Sequence, residues 1–261
     1  MDKTDQNRRP LAYRNEEFLN RADARPLRIL SEYLEPRSHF LDQRIRDTIV
    51  FFGSARIAED GPLGRYYREA QQLAADLTRW SQSLEKTDRR FVICSGGGPS
   101  IMEAANRGAH DAGGKSIGLN ISLPFEQAPN PYITPDLSFE FHYFFMRKFW
   151  FAYLAKACVV FPGGFGTLDE FMEMMTLVQT QKLAKKIVFV LYGPEFWKEV
   201  INFDALVKYG TISREDLDLF SYADDPQTAF RIVTEGLMKH HIEPEPEMPA
   251  IARTRYSREH L

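Results

Sequence analysis

Two cysteines in 261 residues, Cys94 and Cys158, are too few for a disulfide scaffold. Each sits in an apolar run, RFVICSG or ACVVFPG, where a thiol reads as a small core hydrophobe rather than half of a redox pair. No apolar run reaches the roughly 20 residues that a bilayer-spanning helix needs. MDKTDQNRRP also lacks the hydrophobic stretch of a signal peptide, so a cytoplasmic protein with no membrane partner is expected. Cationic excess is missing too. The chain has 33 Lys and Arg against 36 Asp and Glu, a net charge of -3, which argues against a generally basic nucleic-acid surface. Its six histidines are scattered, with no HExxH or carboxylate spacing suited to zinc, so no metal is expected. No serine stands in the GxSxG setting of a hydrolase triad.

What is present suits an ordinary globular chain. Hydrophobic residues at 44% and charged residues at 26% allow a sizeable core, and the length fits one large α/β domain with extensions. Residues 1 to 45 are rich in Arg, Asp and Glu, with Phe18, Leu27, Leu30, Tyr33 and Leu34 at loosely helical spacing, and read as a helical N-terminal extension. Residues 46 to 242 alternate short β-branched or aromatic runs with longer amphipathic stretches. The strand candidates are TIVFFG from Thr48, FVICSGG from Phe91, KSIGLN from Lys115, LSFEFHY from Leu137, ACVVFPGG from Ala157 and KIVFVLYG from Lys186. Helices are expected over GRYYREAQQLAADLTRW, PSIMEAANRGAHDAG, FMRKFWFAYLAKA, TLDEFMEMMTLVQTQKL and PEFWKEVINFDALVKYG. Near-continuous apolar strands joined by helices predict an α/β fold, a Rossmann-like doubly wound parallel sheet. LPFEQAPNPYITP from Leu123 reads as a long loop, and residues 243 to 261, dense in proline and charge, as an extended tail.

Two strand-to-helix turns share a grammar. CSGGGPSIMEAA carries Gly96, Gly97 and Gly98 before Ser100 and Glu103, and FPGGFGTLDEF carries Gly163, Gly164 and Gly166 before Thr167 and Glu170. In an open parallel sheet such turns face the ligand. Each ends in Ser/Thr-x-x-Glu, and a capping box explains those four residues without any ligand. The glycines need more. A run without Cβ ahead of a helix start suits a phosphate held by backbone N–H groups. Neither turn is the GxGxxG fingerprint, and no Gly-Lys-Ser/Thr follows either, so a mononucleotide or sugar phosphate fits better than NAD or ATP.

PGGFGTLDE resembles the PGGxGTxxE signature of the Lonely Guy family of cytokinin-activating phosphoribohydrolases, many of whose members carry a lysine decarboxylase label. GSAR from Gly53, SGGGPSIMEAANRGA from Ser95, LNISLPFEQAPN from Leu119 and MRK from Met146 resemble its other blocks in the same order, over roughly residues 47 to 210. The resemblance implies hydrolysis of the N-glycosidic bond of a nucleoside 5′-monophosphate, AMP or an N6-modified relative, to free base and ribose 5-phosphate, without cofactor or metal. It implies catalytic roles for Arg147 and Glu170, and a phosphate site at Gly163, Gly164, Phe165, Gly166 and Thr167. It further implies substrate contacts from Gly53, Ser54, Gly97, Gly98, Glu103, Asn120, Glu126, Lys148 and Asp169, and a homodimer or assembly of dimers. The residue types make chemical sense. A carboxylate beneath the sugar stabilises the positive charge that builds on the ribose and activates water, and an arginine supplies fixed donors to ribose, phosphate or departing base.

The chain departs from smaller relatives in reading FFMRK where they read MHxRK, and Asp169 stands where a second Glu is frequent; both bear on substrate preference. Plain alternatives stand beside several residues. Arg147 and Lys148 also read as a solvated basic pair, Glu126 as a turn acid, Arg56 as an exposed helix-entry residue, and Thr176 and Gln179 as helix packing. The aromatic segment Phe141, Phe144, Phe145, Phe149, Trp150 and Phe151 reads as core or dimer-interface packing. Rival functions are a general purine or pyrimidine nucleotide nucleosidase for base salvage, and a non-hydrolytic carrier of nucleotide or molybdenum cofactor. Lysine decarboxylation finds no convincing pyridoxal phosphate lysine.

Overall fold

The computed structural model describes residues 9–84, 90–124, 128–183 and 185–242. Among them, β1 (Thr48–Phe52), β2 (Val92–Ser95), β3 (Ser116–Ile121), β4 (Ser138–Phe141), β5 (Ala155–Val160), β6 (Val188–Tyr192) and β7 (Phe220–Ala223) form one sheet. Its order is β4-β3-β2-β1-β5-β6-β7, and every neighbouring pair is parallel. The helices are α1 (Glu16–Leu19), α2 (Arg25–Asp42), α3 (Gly64–Leu84), α4 (Ile101–Asp111), α5 (Phe144–Leu154), α6 (Phe165–Gln179), α7 (Pro194–Val200), α8 (Phe203–Lys208) and α9 (Pro226–Leu237). This is the expected Rossmann-like α/β fold.

Burial explains why the strands read as unbroken apolar runs. All five positions of TIVFF are buried, because both faces of β1 are covered. Ile49 and Phe51 pack with residues of α3, α4 and α9, whereas Val50 and Phe52 pack with residues of α2, α5 and α6. The edge strand β4 instead alternates exposed Ser138 and Glu140 with buried Phe139 and Phe141. Strand order reverses between β1 and β5: the chain builds outward from β1 through β4, then returns to lay β5, β6 and β7 on the other side. The carboxyl ends of β1 and β5 therefore flank the crevice where ligands bind in such sheets.

Three elements differ from expectation. The stretch from Pro194 divides into α7 and α8, because Asn202 accepts from the Ala205 amide (2.9 Å) and starts a new helix. β7 was not anticipated, since FSYA is too short to stand out by composition. Nor was α9, although its start is marked by Pro226 and by Asp225, which caps the Thr228 amide (2.8 Å). The tail 243–261 lies outside the described residues. Ahead of the sheet, α2 lies on α5, with Tyr33 stacked on Trp150 (5.6 Å between centroids) and Phe40 edge-on to it (5.2 Å). Cys94 and Cys158 are both free and buried in strands, as core hydrophobes.

Candidate active site

A cavity of about 690 Å³ opens at the carboxyl ends of β1, β2, β3 and β5. That volume lies within the range of small-molecule sites. Three turns meet there around Ser54. Its amide donates to Pro162 O (3.0 Å) in the turn after β5, and its carbonyl accepts from the Ile101 amide (3.3 Å) at the start of α4. The chain can pass this close because Gly53 has no side chain; a Cβ there would stand 2.5 Å from Ile101 Cγ2.

The turn after β5 lines the cavity with a run of backbone from Gly163 to Thr167. Gly163 is demanded by packing, since a Cβ would fall 2.2 Å from Thr167 Oγ1. Gly164 and Gly166 are different: a Cβ on either would meet nothing within 4 Å, and both line the cavity. Gly164 is the N-cap of α6, and Leu168 N to Gly164 O (3.0 Å) is the helix's opening bond. The N–H groups of Phe165, Gly166 and Thr167 are thus left without intrahelical partners at the positive end of the helix dipole. Thr167 is buried inside α6 and does not cap it.

One turn further along, buried Glu170 accepts from Arg147 Nη2 of α5 at 2.6 Å. Burial pushes the Glu170 carboxyl above the ordinary carboxylate range, against the opposing pull of Arg147 and Lys148. The Arg147 guanidinium lies 5.6 Å from the rings of both Phe144 and Phe151. Its Nε is buried with no acceptor among the described residues. Arg147 is therefore no solvated surface cation. Lys148 turns away from the cavity, bridging Asp169 (2.8 Å) and Glu173 (2.6 Å) along the seam of α5 and α6.

The turn after β2 is held differently from a capping box. Ser100 sits at φ 65° and donates its hydroxyl to Ile57 O (2.6 Å), and Glu103 accepts from the Tyr67 hydroxyl (3.0 Å). This capping box fails because Ser100 and Glu103 find tertiary partners, and the one after β5 fails because Gly164, three residues ahead of Thr167, is the N-cap and Glu170 pairs with Arg147. Gly97, at φ +74°, leaves no room for a Cβ beside Asn120. Asn120, oriented so that its amide nitrogen donates, reaches Gly96 O (3.3 Å) and Gly97 O (3.1 Å). Beneath the turn, Asn130 donates to Gly97 O (3.0 Å), Gly98 O (3.1 Å) and Asn106 Oδ1 (2.9 Å), and Ser95 hydrogen-bonds Asn106 (2.7 Å).

Of the sequence-derived residues, Gly53, Ser54, Gly98, Asn120, Arg147, Gly163, Gly164, Phe165, Gly166, Thr167 and Glu170 line the cavity together. Gly97, Glu103, Lys148 and Asp169 do not line it, and Glu126 lies outside the described residues. Sequence reasoning missed the scaffold pair Asn106 and Asn130, although both lie in quoted blocks, NRGA and QAPN. It also left unassigned the apolar wall of Met102, Ile121, Leu123, Phe144, Phe151, Phe196 and Val200. Thr176 and Gln179 bond to Met172 O and Asp216, as helix-packing residues do. Among the described residues, no group of three or more His, Cys, Asp and Glu is placed to hold a metal, and no helix is long and apolar enough to cross a membrane.

The profile of a family described as possible lysine decarboxylase matches residues 102–233. The cytokinin riboside 5′-monophosphate phosphoribohydrolase LOG of Oryza sativa subsp. japonica is 28% identical over 175 residues, covering 66% of this chain and 66% of its own. An Arabidopsis thaliana protein of the same name, LOG2, is 25% identical over 200 residues, covering 76% and 86%. Among solved structures, TM1055, a structural genomics target, superposes with a TM-score of 0.52 at 19% identity over 72% of this chain and 99% of its own. A Moco carrier protein from Chlamydomonas reinhardtii gives 0.48 at 22% identity over 74% and 99%.

Proposed function

Since the chain belongs to the family described as possible lysine decarboxylase, whose relatives here are named as phosphoribohydrolases, we propose that it hydrolyses the N-glycosidic bond of nucleoside 5′-monophosphates. AMP and its N6-modified, cytokinin-type relatives are the substrates proposed. The carrying observation is the buried Arg147–Glu170 pair, set just behind the open N-terminus of α6. Four residues of helix separate Gly166 from Glu170, a rise of about 6 Å. A ribose 5-phosphate spans much the same length from phosphorus to anomeric carbon. With its phosphate on the N–H groups of Phe165, Gly166 and Thr167, the sugar would place C1′ beside the Glu170 carboxylate.

The roles then follow from charge. As the bond from C1′ to the base nitrogen breaks, its electron pair leaves with the base, which takes up a proton from solvent, and the ribose becomes cationic; Glu170 stabilises that cation, takes a proton from the water that attacks C1′ and returns it to solvent. A carboxyl raised by burial is the better base near neutral pH. Arg147 holds Glu170 in place, and as a cavity-lining residue its guanidinium is the donor proposed for a substrate oxygen. Arg56 adds positive charge at the cavity mouth. The base would rest among Leu123, Phe144, Phe151, Phe196 and Val200, an apolar wall suited to a ring and its substituent. Lysine decarboxylation gains no support here, because no lysine is among the described residues lining the cavity.

The test is incubation of the purified protein with AMP and with N6-isopentenyl-AMP, following free base and ribose 5-phosphate by chromatography. Release of base establishes the activity, and the ratio of rates separates cytokinin activation from general salvage. Tight binding without release would refute it in favour of a carrier. The exposed Leu27, Leu30 and Leu34 of α2 and Phe145, Phe149 and Tyr153 of α5 support assembly into a dimer.

A further inference from the structure

Helix α5 carries Arg147, yet its own sequence does little to fix its start. Its N-cap, Tyr143, makes no side-chain cap, and its first turn holds no acid. The missing cap comes from α2, more than a hundred residues earlier. The Glu32 carboxylate accepts from the His142 amide (2.8 Å) and the Tyr143 amide (3.2 Å), the two residues that lead into α5. The Tyr143 carbonyl in turn accepts from the Arg147 amide (3.2 Å). One carboxylate is thus two hydrogen bonds from the arginine's backbone.

A second link comes from Pro36, inside α2 and buried. In a regular helix the residue-36 amide would bond the Glu32 carbonyl, but proline has no N–H. The freed carbonyl accepts instead from Trp150 Nε1 of α5 (3.0 Å). Arg28, one turn before Glu32, donates to the Tyr143 hydroxyl (3.3 Å). Both polar groups of Glu32 are therefore committed to α5, and the helix-breaking residue is what releases one of them.

We propose that Glu32 is a positioning residue for the reaction, the group through which the N-terminal helix sets the register of α5 and hence the place of Arg147 against Glu170. The inference rests on the role proposed above for Arg147. It assigns the N-terminal helices a part in catalysis, and separates Glu32 from neighbours such as exposed Glu35.

Full-length wild type, Glu32→Ala, Glu32→Gln and the control Glu35→Ala test it. Amide exchange in residues 142–149 is expected to accelerate in Glu32→Ala and less in Glu32→Gln, which keeps an acceptor oxygen. AMP hydrolysis by Glu32→Ala should lose about 10²-fold in kcat, the scale of an ångström-sized misplacement, with KM moving much less because the α6 turn is untouched. The Glu170 carboxyl, followed by 13C NMR, should titrate higher than in wild type as Arg147 drifts from it. Glu35→Ala should match wild type throughout. Wild-type titration of Glu170 together with wild-type kcat per folded molecule in Glu32→Ala would overturn the proposal. If the wild type releases no base, the activity fails while exchange and the Glu170 titration still decide the positioning role. If Glu32→Ala does not fold, Glu32→Gln and Trp150→Phe carry the same readouts in the same direction, and no change in either overturns it.

Discussion

Gly166→Ala is expected to make the protein more stable and worse at binding nucleotide. Gly166 lies in the first turn of α6, at a backbone conformation open to any residue, and a Cβ there meets nothing within 4 Å. Replacing glycine by alanine in a helix stabilises by up to about 1 kcal/mol, which for a domain of this size raises Tm by about 2–4 °C. The same methyl would project into the cavity, where a phosphate oxygen bonded to the neighbouring N–H groups must approach the backbone. AMP at 100 times its Kd adds about 2.7 kcal/mol to wild-type stability, a further rise of about 5–10 °C by the same conversion. Thermal unfolding with and without AMP reads both effects. Gly166→Ala should start higher and show at most about half the wild-type shift, with calorimetry giving at least about tenfold weaker binding, or about 1.4 kcal/mol. Gly163→Ala is the internal contrast: its Cβ would fall 2.2 Å from Thr167 Oγ1, so the ligand-free protein itself should be destabilised. A Gly166→Ala protein that binds AMP as wild type does would refute phosphate binding at α6.

Glu170→Gln keeps an acceptor for Arg147 but no base, so turnover should fall at least about 10²-fold while AMP binding, measured by calorimetry, persists. Because burial raises the Glu170 carboxyl above its ordinary value of 4.5, wild-type kcat/KM should be lost as pH falls through a point above 4.5, a limb absent from Glu170→Gln. Linkage has the same sign: folding favours the protonated acid, so Glu170 opposes folding most above its folded pKa and ceases to do so below 4.5. Asp225→Ala removes the cap of α9, none of whose residues lines the cavity; it should cost about 1 kcal/mol in chemical denaturation and leave kcat unchanged. Leu34→Glu, at an exposed position of α2, should shift the mass read by light scattering toward the monomer.

Particular residues show how far a linear reading reaches. TIVFFG, FVICSGG and ACVVFPGG were legible as strands because their TIVFF, FVICS and ACVVF portions are buried at every position, which leaves a continuous apolar run. That the sheet is parallel followed from the alternation of strands and helices, whereas the strand order did not. Gly163, Gly164 and Gly166 were legible because a glycine run reports on its own backbone. Serine and glutamate side chains were not. Ser100 and Glu103 had the spacing of a capping box, yet they reach Ile57 and Tyr67 across the fold. Lys148 looked like a companion of Arg147 and instead bridges Asp169 and Glu173. α9 carried an Asp-Pro start signal that a closer reading could have used.

The sequence by itself determined the α/β class, the strands that are buried on both faces, and the glycine-rich turns that follow β2 and β5, because each depends on local periodicity or on one residue's backbone freedom. Only the tertiary structure decided which charges meet. Arg147 and Glu170 lie 23 positions apart and join only because α5 and α6 pack into the same core on one face of the sheet. Glu32 finds the start of α5 across 110 positions. Partners so far apart are chosen by the packing of helices on the sheet, and no spacing along the chain encodes that.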